Sequence, residues 1–576
     1  MVIDIKTIQT RFKVLLISII LIFGGIGIAW VIQNDFGTVI TKEIELTTSD
    51  NVIIHSTLQI PHVASESNPV PGVVVIHGVY QSKEWLMAFS IELARRNFVV
   101  LTIDAASHGN SGYASYDSDR GGAIALEYLN DLNLVDKLGI VGHSMGAGIA
   151  IQALELTSVS VDAVVFVGGG SHNLNEWANT TYPHNLLLTV GRYDELYDDP
   201  NMFNSLSDPF GAEGEVVTPG VLYGDFSNGS ARKIILGETN HLFETIDPII
   251  ISETIRWLGF SLKETEISTR DLIYQFHILG GFLACIGILL SIFPIITILL
   301  ESTSFNSLKC VPSSKYAIST RGYFGLGLIY SIIGLGSFLP SLILPSFPFP
   351  QSLGSKVGIW LLGSSIIAFL ILTVIFQYQR KEGVSLKDYG IDNSEINQSL
   401  INVGKSFLIA IIIIVWLYLW VIPVDLLLAL DFRAFLPLLN DLTLRRLVVV
   451  PLYLLFTIPF FLVEGLWIIG LLRTQSKNNW TRTRIEWTIK AVFIKCFPYA
   501  SIILLQLIES YLLGSAYISG MIGFFLLFLW MFTPFFIIST VILMWSYQTT
   551  ERIYIGVFLN SLIFSWTMAS ILTLAM

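Results

Sequence analysis

About nine stretches of this chain are long and apolar enough to cross a bilayer as helices, and that constrains the fold more than any other feature. The first runs almost unbroken from Val14 to Ile32, and the rest are centred near Ile286, Ile333, Ile367, Ile414, Phe460, Leu504, Phe528 and Ile563. Composition agrees: 53% of the residues are hydrophobic and only 13% charged, whereas a soluble protein carries about 25% charged residues. A length of 576 residues also points to more than one folding unit, since single cores rarely grow past roughly 250 to 300 residues. The net charge of −11, from 33 basic and 44 acidic residues, excludes a nucleic-acid partner, because phosphate binding needs clustered Lys and Arg.

The first span has no small-residue cleavage site in Ala29-Trp30-Val31-Ile32-Gln33 and reads as a retained signal anchor. Lys6, Arg11 and Lys13 precede it and Asp35 follows, which places the amino terminus in the cytoplasm and the next segment outside. Counting spans onward puts Lys309, Lys315, Arg321, Arg380, Lys381, Lys387, Lys405, Arg473, Lys477, Arg482, Arg484, Lys490 and Arg552 in cytoplasmic loops. The outside loops hold only Lys356, Arg433, Arg445 and Arg446, so the carboxyl terminus is expected outside. Arg445 and Arg446 sit on the wrong side for the rule; either a span there is misjudged or they pair with Asp431 and Asp441. The organisation expected is an anchor over 1–37, a soluble domain over 38–262 and an all-α membrane domain over 263–576.

Between Thr38 and Leu262 the pattern changes. Val73 to Ile76, Phe98 to Ile103, Leu138 to Val141, Ala163 to Val167, Leu186 to Val190 and Lys233 to Leu236 are short, continuously apolar strands separated by helix-like stretches. Continuous rather than alternating apolarity predicts a mostly parallel sheet covered by helices on both faces. Cys285, Cys310 and Cys496 all lie beyond this region, so no disulfide or thiolate metal site is expected within it.

Gly142-His143-Ser144-Met145-Gly146 follows one predicted strand and precedes the helix-prone Ala147 to Leu156. That is the strand, turn, helix setting in which a strained turn presents a nucleophilic serine, with glycines where larger side chains would clash. Another strand runs into His77-Gly78-Val79-Tyr80, where the amides of Val79 or Tyr80, with that of Met145, are candidate oxyanion donors. Such a donor is worth roughly 3 to 4 kcal/mol. Serine needs a base, and the base needs a carboxylate to orient it. His241 follows the strand at Lys233 to Leu236 and is the candidate base; Asp194 follows the strand at Leu186 to Val190 and is the candidate acid. Glu195 competes with Asp194, and either carboxylate can instead cap the next helix. His172 and His184 sit at no predicted strand end, and His108, in the Asp104 to Gly112 loop, reads as a structural residue.

Taken in order, His77-Gly78, the Asp104 to Gly112 loop, the Ser144 turn, Asp194 and His241 resemble the α/β-hydrolase superfamily, especially its compact esterase and dienelactone-hydrolase-like members. The resemblance covers 38–262. It implies the fold and a serine, histidine, acid mechanism of acyl transfer, and it does not imply a substrate. The function expected is a membrane-bound serine hydrolase cleaving an ester or related acyl compound, small or lipid, with no metal and no cofactor. Only Gly170 to His184 occupies the family's usual lid position, so a large lid is not expected, although the longer stretch from Asp198 to Arg232 could partly cover the site. Two rivals use the same residues differently: a transporter or channel with a non-catalytic hydrolase-like sensor, and an acyltransferase.

Among ionisable residues in the membrane half, His277, Asp425, Lys495 and Glu509 fall near predicted span ends, whereas Glu464 lies mid-span. Pro459 to Gly470, with the Gly383 to Gly390 loop, faintly resembles the CAAX-protease and bacteriocin-processing family. Gly465 stands where that family has a second carboxylate and Ile469 where it has an arginine, and no histidine follows His277. Metal-ligating chemistry is therefore not expected there, and Glu464 reads first as a buried residue paired with a polar neighbour.

Overall fold

A computed structural model describes residues 5–115, 120–170, 174–196, 202–310, 318–392, 394–435, 438–473 and 480–575. His172, Lys315, Lys477 and Asp198 lie outside the described residues.

One nine-stranded sheet organises the first half. Its strands are β1 (Val39–Thr47), β2 (Ile53–Pro61), β3 (Val70–Ile76), β4 (Val99–Ile103), β5 (Val135–His143), β6 (Ala163–Val167), β7 (Leu186–Gly191), β8 (Leu222–Tyr223) and β9 (Arg232–Gly237). Their order is β1-β2-β4-β3-β5-β6-β7-β9-β8. The run from β4 to β9 is parallel, while β1, β2 and β8 pair antiparallel at the margins. Alternate residues of β3 enter opposite apolar layers, Val74 and Ile76 on one face, Val73 and Val75 on the other. Helices Gly122–Asn130 and Met145–Leu156 close the first layer, and Met87–Ala94 and Pro248–Lys263 the second. Covering both faces is what makes these strands read as unbroken apolar runs.

Among the described residues, nine helices are long and apolar enough to cross a membrane, beginning with Thr10–Gln33 and ending with Tyr554–Ile571. The first packs along Tyr274–Glu301 through a seam of small residues. A Cβ on Gly25 would lie 2.5 Å from the Ala284 nitrogen, and one on Gly280 would lie 2.6 Å from the Ala29 nitrogen. Lipid is as apolar as a side chain, so close backbone approach rather than hydrophobic burial holds such a seam. Tyr554–Ile571 has nearly every residue buried and is enclosed by the other helices.

The sheet sits against one end of this bundle. Gln59 donates to the Gln33 carbonyl at 3.1 Å, Tyr274 to the Ile246 carbonyl at 2.7 Å, and the Gly520 amide to the Glu195 carbonyl at 2.7 Å. The far end carries Arg11, Lys309, Lys387, Arg473 and Arg552 beside Glu301, Glu551, Asp388 and Asp392.

The arginine expectation needs correcting. Arg433, not Arg445 or Arg446, pairs with Asp431 and Asp441, and it also reaches Asn110 of the sheet domain at 3.2 Å. Arg446 is buried and donates to the carbonyls of Ala569, Ser570 and Leu572, satisfying the free end of the last helix, and to the Ser107 carbonyl at 3.1 Å. Carbonyls at a helix end demand a donor as strongly as a carboxylate does, and the charge-loop rule does not register that demand. Arg446→Met is therefore expected to lower stability by roughly 3 kcal/mol, because it strands several buried acceptors. Thermal unfolding of the detergent-solubilised protein measures this, and an unchanged transition would contradict it.

Glu464 has the polar neighbour its position demands: its Oε2 lies 2.6 Å from Lys495 Nζ, which is 3.1 Å from the Tyr330 hydroxyl.

Candidate active site

Parallel register brings the loops to one edge. Ile76 of β3 pairs with Gly142 of β5, His143 with Val167 of β6, and Gly191 of β7 with Gly237 of β9. The next residues therefore emerge side by side. Ser144 has φ +53 and ψ −116, a conformation that side chains rarely adopt. The flanking glycines make that turn possible: a Cβ on Gly142 would lie 2.4 Å from the Gly146 carbonyl oxygen, and one on Gly146 2.2 Å from the Ile76 oxygen.

His241 Nε2 lies 2.9 Å from Ser144 Oγ, and its Nδ1 lies 2.8 Å from Asp194 Oδ2. Backbone bonds fix the loops that carry the histidine and the acid: Tyr193 donates to Thr239 at 3.0 Å and Arg192 to Gly237 at 2.8 Å, while Leu196 donates to Asp194 Oδ1 at 2.7 Å. Glu195, the competing carboxylate, turns away from the ring and accepts from the His241 amide and from Asn240, both at 3.3 Å. Burial opposes the imidazolium of His241, but the adjacent Asp194 charge and hydrogen bond, with Glu195 behind, outweigh it and raise the pKa. Glu195 itself is pushed up to about 7, chiefly by burial.

Val79 and Tyr80 stand in the turn closed by the Gln81 amide on the Gly78 carbonyl at 3.3 Å. Among the described residues their amides carry no backbone hydrogen bond, and Met145, as the first residue of its helix, has no intrahelical acceptor. Val79 and Tyr80 line the pocket around Ser144, and Met145 follows Ser144 as the first residue of its helix. His77 is structural: its ring accepts from the Ala105 amide at 3.0 Å. His108 contacts the Thr573 hydroxyl at 3.0 Å and so ties its loop to the end of the last helix.

One residue escaped the sequence reading. Glu244 is fully buried beneath the histidine: Oε1 accepts from the Gly191 amide at 2.6 Å, and Oε2 lies 3.2 Å from His143 Nε2 and 3.4 Å from His241 Nδ1. Burial and the neighbouring Asp194 charge raise its pKa well above the usual carboxylate value. The hydrogen-bond pattern agrees. Gln81 Oε1 accepts from the Gly78 amide and from His143 Nδ1, which leaves His143 Nε2 as an acceptor for a protonated Glu244. His143 stays neutral, its pKa lowered well below the ordinary histidine value by burial and by repulsion from the charged form of His241, whose ring stacks on it at 5.1 Å. Glu244→Gln should therefore keep activity within several-fold of wild type, whereas Glu244→Ala should cost about 1–3 kcal/mol of stability by leaving the Gly191 amide unpaired. Parallel esterase assays and melting curves test the pair; a Gln variant as damaged as the Ala variant would mean the carboxyl is ionised. The only sequence signal was a glutamate three residues after His241.

Donor atoms of His143, His241 and Glu244 lie close enough for a metal, as do those of Asp425, Asp431 and Asp441. The first group is already committed to hydrogen bonds, and the Arg433 guanidinium contacts two of the second.

The covering of the site also differs from expectation. Among the described residues, the chamber of about 460 Å³ around Ser144 is roofed by helix Gly520–Thr550, through Phe524, Leu527, Phe528 and Met531, rather than by the 198–232 stretch. Tyr80 packs on this helix, its ring 5.5 Å from that of Phe528, and its hydroxyl is 3.3 Å from Ser352 Oγ. An apolar span in the sequence shows only that it avoids water. Which of its faces meets protein is decided by tertiary packing.

Residues 73–250 match the alpha/beta hydrolase family. Similar solved structures include an esterase from Pyrococcus furiosus, 17% identical over 39% of this chain and 94% of that one, with a TM-score of 0.29. A predicted CIB-like hydrolase from Thermoplasma acidophilum is 17% identical over 38% of this chain and 98% of its own, with a TM-score of 0.27. An epoxide hydrolase mutant from Vigna radiata is 11% identical over 37% and 97%, with a TM-score of 0.27. No curated protein matches the chain. A mostly parallel sheet, a serine turn after β5 and a family match across 73–250 together make this half of the chain an α/β-hydrolase domain.

Proposed function

We propose that this protein is a multi-pass membrane serine hydrolase that cleaves an ester or related acyl substrate at the extracytoplasmic face of the bilayer. The observation that carries the reading is the pair of hydrogen bonds linking Ser144 to His241 and His241 to Asp194. Ser144 Oγ attacks the acyl carbonyl while His241 Nε2 takes its proton, and Asp194 holds the imidazole in the required tautomer and stabilises the imidazolium. The amides of Met145 and of Val79 or Tyr80 receive the oxyanion. His241 then protonates the departing alcohol, and water, deprotonated by the same nitrogen, releases the acid from Ser144.

Two further observations support the setting. The chamber is roofed by a helix long and apolar enough to span lipid. The basic residues Arg11, Lys309, Lys387, Arg473 and Arg552 gather at the end of the bundle opposite the sheet, as the positive-inside rule expects of an extracytoplasmic hydrolase domain.

A fluorophosphonate probe tests the reading on the full-length protein. The expected result is a single covalent adduct mapped to Ser144. Silence from folded protein would favour the rival in which this domain is a non-catalytic sensor.

A further inference from the structure

Phe528 and Met531 each have two roles. They roof the Ser144 chamber, and they also wall a second, partly open cavity lined wholly by the helical half. That cavity is lined by Phe338, Leu342, Val357, Phe525, Phe535 and Phe564, among others, drawn from four membrane helices or their ends, with Leu438 from a loop. Its lining is almost entirely apolar, with Lys356 at one side donating to the Leu344 carbonyl. From Phe525 to Phe535 the roofing helix rises about 15 Å, room for an extended chain of roughly a dozen carbons. A third cavity, of about 1230 Å³, also borders Met531, but Glu84, Tyr274 and His277 interrupt its walls.

We infer that the cavity behind Phe528 and Met531 holds the fatty-acyl chain of the substrate, so that the protein acts on a long-chain lipid ester taken directly from the bilayer. This rests on Ser144 being the nucleophile. A chain that leaves lipid for this cavity exchanges one apolar surrounding for another, whereas a chain lifted into a water-facing cleft would expose every methylene. Methionine suits the seam between the chamber and the cavity, because an unbranched thioether adapts its shape to what passes it.

Full-length protein in phosphatidylcholine vesicles, assayed on p-nitrophenyl butyrate and palmitate, tests the assignment. Val357 is half-buried, lines the cavity and does not border the Ser144 chamber, so Val357→Trp fills the space from its far side. The ratio of kcat/KM for palmitate over butyrate is expected to fall at least tenfold, and a ratio kept within twofold overturns the inference. A second readout needs no turnover. In the Ser144→Ala protein, a palmitoyl ester with a terminal diazirine should crosslink to peptides from 338–360. Crosslinks to 274–282, beside the third cavity, overturn the inference. Wild-type protein that binds the probe at 338–360 but hydrolyses neither ester would sink the catalytic reading and leave the cavity assignment standing.

Discussion

Ser144→Ala is expected to lower kcat for model esters by about 10⁶-fold, since a nucleophile removed from a serine, histidine, acid set costs about as much as removing the whole set. No neighbour replaces it. The His241 ring is held between Ser144 and Asp194, and the φ of +53 is set by the strand and helix it joins rather than by its hydroxyl. Alanine occupies the same turn, so binding of a long-chain ester should persist while turnover vanishes. Rate measurements with purified protein, alongside a binding assay for a non-hydrolysable ether analogue, separate the two effects. Activity within tenfold of wild type would mean that hydrolysis proceeds through another group.

Asp194→Asn is expected to lower kcat by roughly 10⁴-fold, because an amide can present N–H to the imidazole and hold it in the wrong tautomer. It should also move the pH profile. The base must be neutral to work, so wild-type activity is lost as pH falls through the raised pKa of His241, and the acidic limb lies above the ordinary histidine value of about 6.5. Without the Asp194 charge the opposing effect of burial prevails, so the limb of the residual activity should shift to lower pH. Glu195, pushed up to about 7, ionises nearby, so the wild-type limb belongs to coupled groups rather than to one ring. A pH–rate series on both proteins decides the point, and an unmoved limb would remove Asp194 as the residue that raises the histidine.

The serine turn and the central strands were legible because they are encoded locally. A glycine on either side of Ser144 answers a clash that any side chain there would meet, and β3 to β7 are buried on both faces, so their apolar runs show without an alignment. The marginal strands were not legible for the opposite reason. In β1 only Val39 and Leu46 are buried, and β2 buries Ser56, Thr57 and Gln59, so neither carries an apolar run. The two-residue β8 is too short to leave any pattern. Glu244 and the roofing helix belong to a third kind. Their roles come from contacts between segments far apart in sequence, 191 with 244 and 195 with 520, and no local periodicity reports such contacts.

The hydrogen bond from the Gly520 amide to the Glu195 carbonyl has a consequence for the order of synthesis. Ribosomes finish the sheet long before they reach residue 520, so a newly made hydrolase half stands without a ceiling, and its serine faces water. Phe524, Leu527, Phe528 and Met531 can cover it only once the paired spans Arg482–Leu513 and Ile522–Thr550 are in place, so that the insertion of these late helices completes the pocket.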